Sequence, residues 1–167
     1  MARNVLVIGG GGREHAIVRQ LAASPRKPQL FAAPGNPGTE PLARNLPLDP
    51  LDCDAVTAAC RDHAIDLVVI GPEDPLIAGL ADHLRHAGYD VFGPGRLGAR
   101  LEGDKEYAKE VMAAAGVPTA HYHAVSTFDT ALSHLDTLAL PVVVKACGAA
   151  QGKGVAVCAT RAEAEEH

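Results

Sequence analysis

The chain has 167 residues, a hydrophobic fraction of 47% and a formal net charge of −5 at pH 7. This composition supports a packed core, while the acidic balance and the lack of a basic stripe argue against nucleic acid as a partner. No apolar run reaches the roughly 18 residues of a membrane span, and nothing at the start resembles a signal peptide. The four cysteines lack C-x-x-C spacing, so we expect reduced thiols in a cytoplasmic protein with no membrane partner.

Apolar runs alternate with helical patterns as far as about residue 100, which predicts a parallel sheet covered by helices. The predicted strands lie at 4–8, about 29–33, 66–70 and 90–92. The predicted helices run from Arg13 to Ala23, near 52–64 and from Leu76 to Ala87, the last with an apolar face of Leu76, Ile77, Leu80, Ala81 and Leu84. Gly88 then suits a helix C-terminus. We predict a small doubly wound α/β domain.

The most informative stretch is the first strand, which runs directly into Gly9–Gly12 and then into the polar helix start Arg13-Glu14-His15. Residues without a Cβ let the backbone turn tightly and bring its N–H groups close to an anion, where the helix dipole is favourable. One or two glycines would suffice for a tight turn alone. The four therefore predict a phosphate-bearing ligand at the carboxyl end of the first strand.

Three more Pro- and Gly-rich loops each follow a predicted strand. They are Pro34-Gly35-Asn36-Pro37-Gly38, Gly71-Pro72-Glu73-Asp74-Pro75 and Gly93-Pro94-Gly95. Loops that follow parallel strands collect at the carboxyl edge of the sheet, where open α/β sheets bind ligands. Four such loops predict a binding site at this edge.

Two common nucleotide motifs do not fit. The dinucleotide fingerprint needs a third glycine where this chain has Glu14 or His15, and no acidic residue lies between Pro28 and Thr39, so NAD binding is disfavoured. A Walker A motif needs Ser or Thr after its lysine, and Lys153 is followed by Gly154.

After residue 100 the pattern changes to α+β. The segment from Leu101 to Lys105 leads into a helix that we expect to bury Tyr107, Ala108, Val111, Met112 and Ala115 and to end at Gly116. We further predict a short strand at 120–124, a helix at about 127–135, and an antiparallel pair of strands at Val142–Lys145 and Gly154–Cys158. Thr160 and Glu163 form a capping box that opens a last helix. This second domain has too few residues to close a core, so we expect the chain to be the N-terminal part of a longer protein.

The loop between these two strands, Gly148 to Gly154, is glycine-rich and suited to cover a triphosphate with its N–H groups, with Lys153 adding positive charge. Lys145 ends an otherwise apolar strand, where a buried lysine would need a partner, so an anionic ligand is the better explanation. Lys105 by itself would be an ordinary solvated helix residue.

These motifs together resemble the glycinamide ribonucleotide synthetase (phosphoribosylamine–glycine ligase) family of ATP-grasp enzymes. The motifs are Gly9-Gly10-Gly11-Gly12-Arg13-Glu14-His15, Pro34-Gly35-Asn36-Pro37-Gly38-Thr39, Gly71-Pro72-Glu73-Asp74-Pro75-Leu76, Leu101-Glu102-Gly103-Asp104-Lys105 and Lys145-Ala146-Cys147-Gly148 through Gly152-Lys153-Gly154-Val155. They follow the family's order and spacing along the whole chain. The resemblance implies a substrate-binding (pre-ATP-grasp) domain over 1–103, and a linker helix with the truncated start of an ATP-grasp domain over 104–167.

The resemblance also implies a reaction of de novo purine biosynthesis. ATP phosphorylates the carboxylate of glycine, and the amine of 5-phosphoribosylamine attacks the glycyl phosphate to give glycinamide ribonucleotide, ADP and phosphate. The partners would be these small molecules. The implied substrate-binding residues are Gly9, Gly10, Gly11, Gly12, Arg13, Glu14, His15, Pro34, Gly35, Asn36, Gly71, Pro72 and Glu73. The implied ATP-binding residues are Lys105, Lys145, Gly148, Gly152, Lys153 and Gly154.

Family members use ATP with Mg²⁺ or Mn²⁺, and their metal ligands and much of their glycine site lie beyond position 167. We therefore assign no catalytic or metal-binding residue here and expect the chain alone to be inactive. The chain departs from the family pattern at Cys147, where Asp is usual, at Gln151, where a small residue is usual, and at Asp104, where Ser is common.

Two alternatives stay open: another ATP-grasp carboxylate–amine ligase of purine biosynthesis, and a non-catalytic phosphosugar- or nucleotide-binding module. The ending Arg13-Glu14-His15 and the Pro34-Gly35-Asn36 loop favour the synthetase. The histidine pairs 83/86 and 121/123 do not by themselves make a metal site.

Overall fold

The computed structural model of the chain describes residues 3–146 and 154–167. The chain divides into two compact units, one ending at Arg100 and the other beginning at Leu101. The predicted domain boundary at 103 coincides with the end of a helix, Arg96–Gly103, that starts in the first unit. The units are described separately below.

The first unit is built on a five-stranded, wholly parallel sheet. Its strands are β1 (Asn4–Gly9), β2 (Gln29–Pro34), β3 (Arg44–Asn45), β4 (Leu67–Ile70) and β5 (Asp90–Phe92), in the spatial order β3-β2-β1-β4-β5. The order reverses beside β1, as in a doubly wound fold, and ligands bind such sheets at this switch point. The predicted α/β fold class and four of the predicted strands are therefore confirmed.

Five helices belong to or begin in this unit. They are α1 (Gly12–Ala22), α2 (Cys53–Asp62), α3 (Glu73–Ala78), α4 (Leu80–His86) and α5 (Arg96–Gly103). Asp52 caps α2 by accepting a hydrogen bond from the Ala55 N–H at 2.9 Å. Gly88 has a φ of +90° after α4, which confirms its predicted role at a helix end.

The predicted helix from Leu76 to Ala87 was wrong in one respect. The helical region begins earlier, at Glu73, and is divided at Gly79, whose φ of +100° ends α3 and precedes α4. The apolar pattern survives the break, because the side chains of Leu76, Leu80 and Leu84 are all buried. Periodicity alone does not reveal such a break, since the left-handed residue keeps both segments on the same side of the sheet.

The sheet has an apolar core on each face. On one face Leu6, Ile8, Phe31 and Val68 pack with residues of α2, α3 and α4. On the other, Val5, Val7, Leu30, Ala32 and Val69 pack against Val18 of α1. Burying each Val, Leu or Ile side chain contributes about 1.5–3 kcal/mol, so the strand segments that carry the loops are firmly held.

Two elements of this unit were not predicted. β3 has two residues, too few for any periodic signal, and pairs with Phe31 and Ala32 of β2. α5 contains two glycines and begins at Arg96, whose N–H donates to Asp82 Oδ2 at 2.8 Å. The cap of α5 thus comes from a side chain 14 residues away, which no local pattern indicates.

The second unit contains α6 (Lys105–Ala114), α7 (Phe128–Leu135), β6 (Val142–Lys145), β7 (Val155–Cys158) and α8 (Arg161–Glu166). β6 and β7 pair antiparallel, with Val142 opposite Cys158 and Lys145 opposite Val155, as predicted. Asp104 caps α6, Thr127 caps α7 and Thr160 caps α8. The predicted capping box of Thr160 and Glu163 is confirmed.

Three expectations for this unit were wrong. Residues 120–124 form no strand, and each of them is exposed. Of the predicted buried face of α6, only Ala108 is buried, while Ala115 is exposed and the others are half-buried. Lys145 is exposed, because β6 alternates and turns Val143 and Lys145 to the same uncovered face.

No helix among the described residues is long and apolar enough to cross a membrane.

Candidate functional site at the carboxyl edge

Hydrogen bonds join the loops that follow β1 and β2. The Gly35 N–H donates to the Gly9 carbonyl at 3.2 Å, and Asn36 Nδ2 donates to the carbonyls of Gly10 at 3.0 Å and Gly11 at 3.3 Å. The glycine loop is therefore fastened to its neighbour and is not a free-standing turn. An added Cβ on Gly10 would lie 2.7 Å from the Gly35 carbonyl oxygen, so this close approach requires glycine.

Glu14 organises the glycine loop from the inside. It is 3% exposed, and its Oε2 accepts a hydrogen bond from the Gly11 N–H at 2.8 Å. A Cβ added at Gly9, Gly11 or Gly71 would overlap this carboxylate. Three of the site glycines are thus explained by the packing of Glu14, a reason that the sequence interpretation missed.

The N-terminus of α1 has the features of an anion site. The hydrogen bonds of the described residues provide no acceptor for the N–H groups of Gly12 and Arg13, the first two residues of α1. Apart from its chain neighbours and the backbone of α1, a Cβ added at Gly12 would meet no atom within 4 Å, so the first turn of α1 is open on this side. Exposed N–H groups at the positive end of a helix dipole bind phosphate favourably.

Arg13 connects the first loop to the loop after β4. Its Nη2 donates to Glu73 Oε2 at 3.2 Å and its Nε donates to Glu14 Oε1 at 3.1 Å. The pKa of Glu73 is lowered, first by its own backbone N–H at the start of α3 and then by Arg13. The pKa of Arg13 is raised by hydrogen bonds to Glu73 and Glu14. Two of the five guanidinium N–H donors are used in this way, and the side chain remains 59% exposed.

The loop after β2 is held by a buried polar network that the sequence interpretation also missed. Thr39, fully buried, accepts a hydrogen bond from the Asn36 N–H at 2.9 Å and donates from Oγ1 to Asn45 Oδ1 at 2.7 Å. Asn45 Nδ2 in turn donates to the Asn36 carbonyl at 2.9 Å. The one available signal was the Asn-x-Gly-Thr pattern at 36–39, which is typical of a turn closed by the Asn side chain.

The remaining predicted substrate residues lie around these contacts. His15 is half-buried, and its ring packs so closely on Gly38 that a Cβ there would lie 2.6 Å from His15 Cε1. Pro34 ends β2 and is exposed, Gly35 has a φ of +72°, and Pro72 precedes the first turn of α3.

The fourth loop, 93–95, is tied to α4 instead. Arg85 Nη2 donates to the Gly93 carbonyl at 2.6 Å, and Asp82 accepts from the Arg96 N–H just beyond the loop. Of the four predicted loops, hydrogen bonds therefore join the first with the second and, through Arg13, with the third.

The candidate nucleotide residues belong to the second unit. Lys105 is the first residue of α6, Lys145 the last of β6, and the Ala146 N–H donates to the Gly154 carbonyl at 2.9 Å. Because Lys145 is exposed, burial does not explain it. Gly148, Gly152 and Lys153, and the family departures Cys147 and Gln151, lie outside the described residues.

Within 3–146 and 154–167, no three His, Cys, Asp or Glu residues are grouped so that they could hold a metal ion. The residues present do not fit a Mg²⁺ site, and no step of chemistry through such an ion is derived for them.

The doubly wound first unit and the α+β second unit correspond to two known domains, the second of them of the ATP-grasp class. Profiles of two domains support this: phosphoribosylglycinamide synthetase N domain matches residues 3–102, and phosphoribosylglycinamide synthetase ATP-grasp (A) domain matches residues 103–167. The chain belongs to the phosphoribosylglycinamide synthetase family.

Curated relatives agree with this assignment. The phosphoribosylamine–glycine ligase of Mesorhizobium japonicum is 49% identical over 161 residues, which is 96% of this chain and 38% of the relative. That of Xylella fastidiosa is 47% identical over 163 residues, again 96% of this chain and 38% of the relative. The chain thus spans well under half the length of these relatives.

Solved structures show the same architecture. The phosphoribosylamine–glycine ligase of Thermotoga maritima matches with a TM-score of 0.78 and 31% identity, over 98% of this chain and 38% of that one. N5-carboxyaminoimidazole ribonucleotide synthetase from the same organism has a TM-score of 0.75 at 18% identity, over 99% of this chain and 43% of that one, and so shares the fold.

Proposed function

We propose that this chain provides the substrate-binding part of a phosphoribosylamine–glycine ligase, an enzyme that joins glycine to 5-phosphoribosylamine through a glycyl phosphate. The products would be glycinamide ribonucleotide, ADP and phosphate, in the cytoplasm. In this proposal residues 1–103 bind the phosphorylated ribose, and residues 104–167 form a linker helix and the start of the ATP-grasp domain. The family match and the relatives' names support it.

The observation that carries the proposal is the pair of free N–H groups at Gly12 and Arg13, beside open space at the start of α1. A phosphate there would accept from both N–H groups and lie at the positive end of an 11-residue helix. Arg13 adds charge with the guanidinium donors that Glu14 and Glu73 do not use. Those carboxylates hold the guanidinium in place, and an ordered arginine loses less entropy when it binds.

We assign ATP binding to the second unit. Lys105, Lys145 and Gly154 lie in the segment matched by the ATP-grasp domain, and exposed lysine at the end of β6 suits a polyphosphate. We place the Mg²⁺ or Mn²⁺ of the reaction on residues of the family that come after position 167. It follows that the chain alone should not catalyse ligation, since phosphoryl transfer depends on these ions.

The phosphate site can be tested with ribose 5-phosphate, a stable compound that shares the phosphorylated ribose. We expect the chain to bind it in titration calorimetry, and to bind ribose without phosphate far more weakly. Gly12→Val should weaken binding by at least about tenfold, because the new side chain occupies space at the start of α1 where an added Cβ meets no other part of the fold within 4 Å. Gly11→Val would be a poorer test, since a Cβ there lies 2.8 Å from Glu14 Oε2.

The matched control is Ala16→Val, at an exposed position one turn further along α1. It introduces the same side chain in the same helix and should leave affinity unchanged. Equal affinity of Gly12→Val and the unsubstituted chain would mean that the glycine loop is only a turn.

A further inference from the structure

The peptide group between Gly10 and Gly11 is held from both sides. Its carbonyl accepts from Asn36 Nδ2 at 3.0 Å, and its N–H donates to Glu14 Oε2 at 2.8 Å. A trans peptide is planar with its C=O and N–H on opposite sides, so these two contacts fix its rotation completely.

The next peptide group, between Gly11 and Gly12, is held from one side only. Its carbonyl accepts from the His15 N–H at 3.1 Å and from Asn36 Nδ2 at 3.3 Å. By the same planarity, its N–H points to the side opposite these two donors. Asn36, together with the His15 N–H, therefore orients an N–H group that the proposed function assigns to phosphate.

Asn36 is in turn held by Gly38 and Thr39 of its own motif and by Asn45, which lies outside that motif. Its Oδ1 accepts from the Gly38 N–H at 2.8 Å and the Thr39 N–H at 3.1 Å. Its backbone carbonyl accepts from Asn45 Nδ2 at 2.9 Å, and Asn45 Oδ1 accepts from the Thr39 hydroxyl at 2.7 Å. Asn45 thus contacts the loop through both ends of its amide.

Asn45 lies on β3, at the edge of the sheet, and is itself half-buried. β3 is parallel to β2 with Asn45 opposite Ala32, so the side chain starts from a strand that is fixed by backbone pairing. An added Cβ on Gly35 would overlap the Asn45 amide, which shows how closely the amide is enclosed by the loop.

We infer that Asn45 is a positioning residue for the phosphate of the substrate: through Asn36 it orients the Gly12 N–H without touching the ligand. This inference rests on the proposed function, because it assigns a supporting residue to the same site.

The test compares Asn45→Ala with Asn4→Ala. Asn4 also donates from its side-chain amide to a backbone carbonyl, that of His63 at 2.9 Å, but at the opposite, amino edge of the sheet. Both variants lose a hydrogen bond from a side-chain amide to a backbone carbonyl in the first unit, and Asn45→Ala also loses the bond from the Thr39 hydroxyl.

Two readouts are needed. We expect Asn45→Ala to bind ribose 5-phosphate about tenfold more weakly, because the N–H donor is no longer preorganised. In ¹⁵N-labelled protein without ligand, the amide resonances of Gly11 and Gly12 should shift in Asn45→Ala while those of β1 stay in place. Asn4→Ala should change neither the affinity nor these resonances.

Unchanged affinity of Asn45→Ala, with ribose 5-phosphate still bound by the unsubstituted chain, would overturn the inference and leave the proposed function standing. Absence of ribose 5-phosphate binding by the unsubstituted chain would overturn both. If Asn45→Ala does not fold, Thr39→Val serves instead. Val has nearly the shape of Thr, and the change removes the hydroxyl that donates to Asn45 and accepts from the Asn36 N–H. An unchanged affinity in that variant would equally contradict the inference.

Discussion

Buried Glu14 shows how one side chain can account for several glycines. It is enclosed by the Cα atoms of Gly9, Gly11 and Gly71, and it binds both the Gly11 N–H and Arg13. A buried carboxylate without such partners would be strongly unfavourable, so the glycines and the arginine form one unit with it. Glycine richness at this loop therefore serves the protein's own packing as well as access for a ligand.

Cys60 offers a prediction about pH at the same scale. The side chain is fully buried, and burial raises the pKa of its thiol from 9.0 to about 11. Between these values the folded chain keeps a proton that the unfolded chain loses, so the unfolded state binds fewer protons and stability falls as pH rises. The contribution of the Cys60 thiol to the free energy of unfolding is complete below pH 9 and is lost as the pH passes 11. This loss amounts to roughly 2 to 3 kcal/mol.

The measurement is urea unfolding at a series of pH values from 8 to 11 (about the span of this titration) for the chain and for Cys60→Ala. The free energy of unfolding of Cys60→Ala should fall less steeply with pH. Because the slopes are compared, any constant cost of the smaller side chain cancels. Parallel curves would show that Cys60 is not protected from solvent.

At the scale of elements, Gly79 divides the helical connection between β4 and β5 into α3 and α4. Sequence periodicity predicts one helix, and the structure has two short ones on either side of a residue with φ of +100°. The buried positions Leu76, Leu80 and Leu84 are the same in both descriptions. What differs is the backbone between them, which the hydrophobic pattern does not encode.

Substitution of Gly79 distinguishes the two descriptions. We expect Gly79→Ala to destabilise the first unit by about 1–2 kcal/mol, because a Cβ is disfavoured in the left-handed region. Space is not the cause, since the nearest atom to an added Cβ is Arg96 Cδ at 3.8 Å. In a continuous helix the same change would stabilise by about 1 kcal/mol, so the sign of the change in urea unfolding is decisive.

Gly79→Asn is the matched variant. Asn tolerates a left-handed backbone better than Ala does, so Gly79→Asn should lower the free energy of unfolding less than Gly79→Ala. A larger loss for Asn would point to a cause other than backbone conformation.

For the whole molecule, the two units differ in how much they bury. The first has a core on both faces of its sheet, while among the described residues of the second the buried apolar cluster is formed by Val142, Cys158 and Ala164. Exposed Val143, Val155 and Val157 lie on β6 and β7 of that second unit. The candidate phosphate site is built entirely from the first unit, so its geometry depends on the better-packed part of the chain.

Activity can be tested in a chimera. The chain should replace the matching 161 residues of the Mesorhizobium japonicum relative, to which it is 49% identical. We expect the chimera to release ADP in a manner that depends on both glycine and phosphoribosylamine, and the 167-residue chain to release none. Introducing Gly12→Val into the chimera should raise the KM for phosphoribosylamine.

A folded chimera that binds ATP without ligating, while the unmodified relative is active, would contradict the proposed ligase function. It would favour a binding module in its place.

The sequence by itself determined four strands of the first unit with the helices α1 and α2, the antiparallel pair of the second unit, and the capping box of Thr160 and Glu163. These features are local: periodicity, turn residues and caps act over a few positions. The position of the loops at one edge also followed, because parallel pairing places every carboxyl end on the same side.

The tertiary structure alone decided which groups the loop residues contact. Arg13 meets Glu73 from 60 positions away, and Asn36 meets Gly10 from 26 positions away. The role of Asn45 could not be predicted from the sequence, because its strand has two residues and shows no periodic pattern. Lys145 was expected to be buried because its strand is apolar, yet alternation exposes it. Such partnerships depend on how separate elements pack, and a linear pattern of residue types does not record that packing.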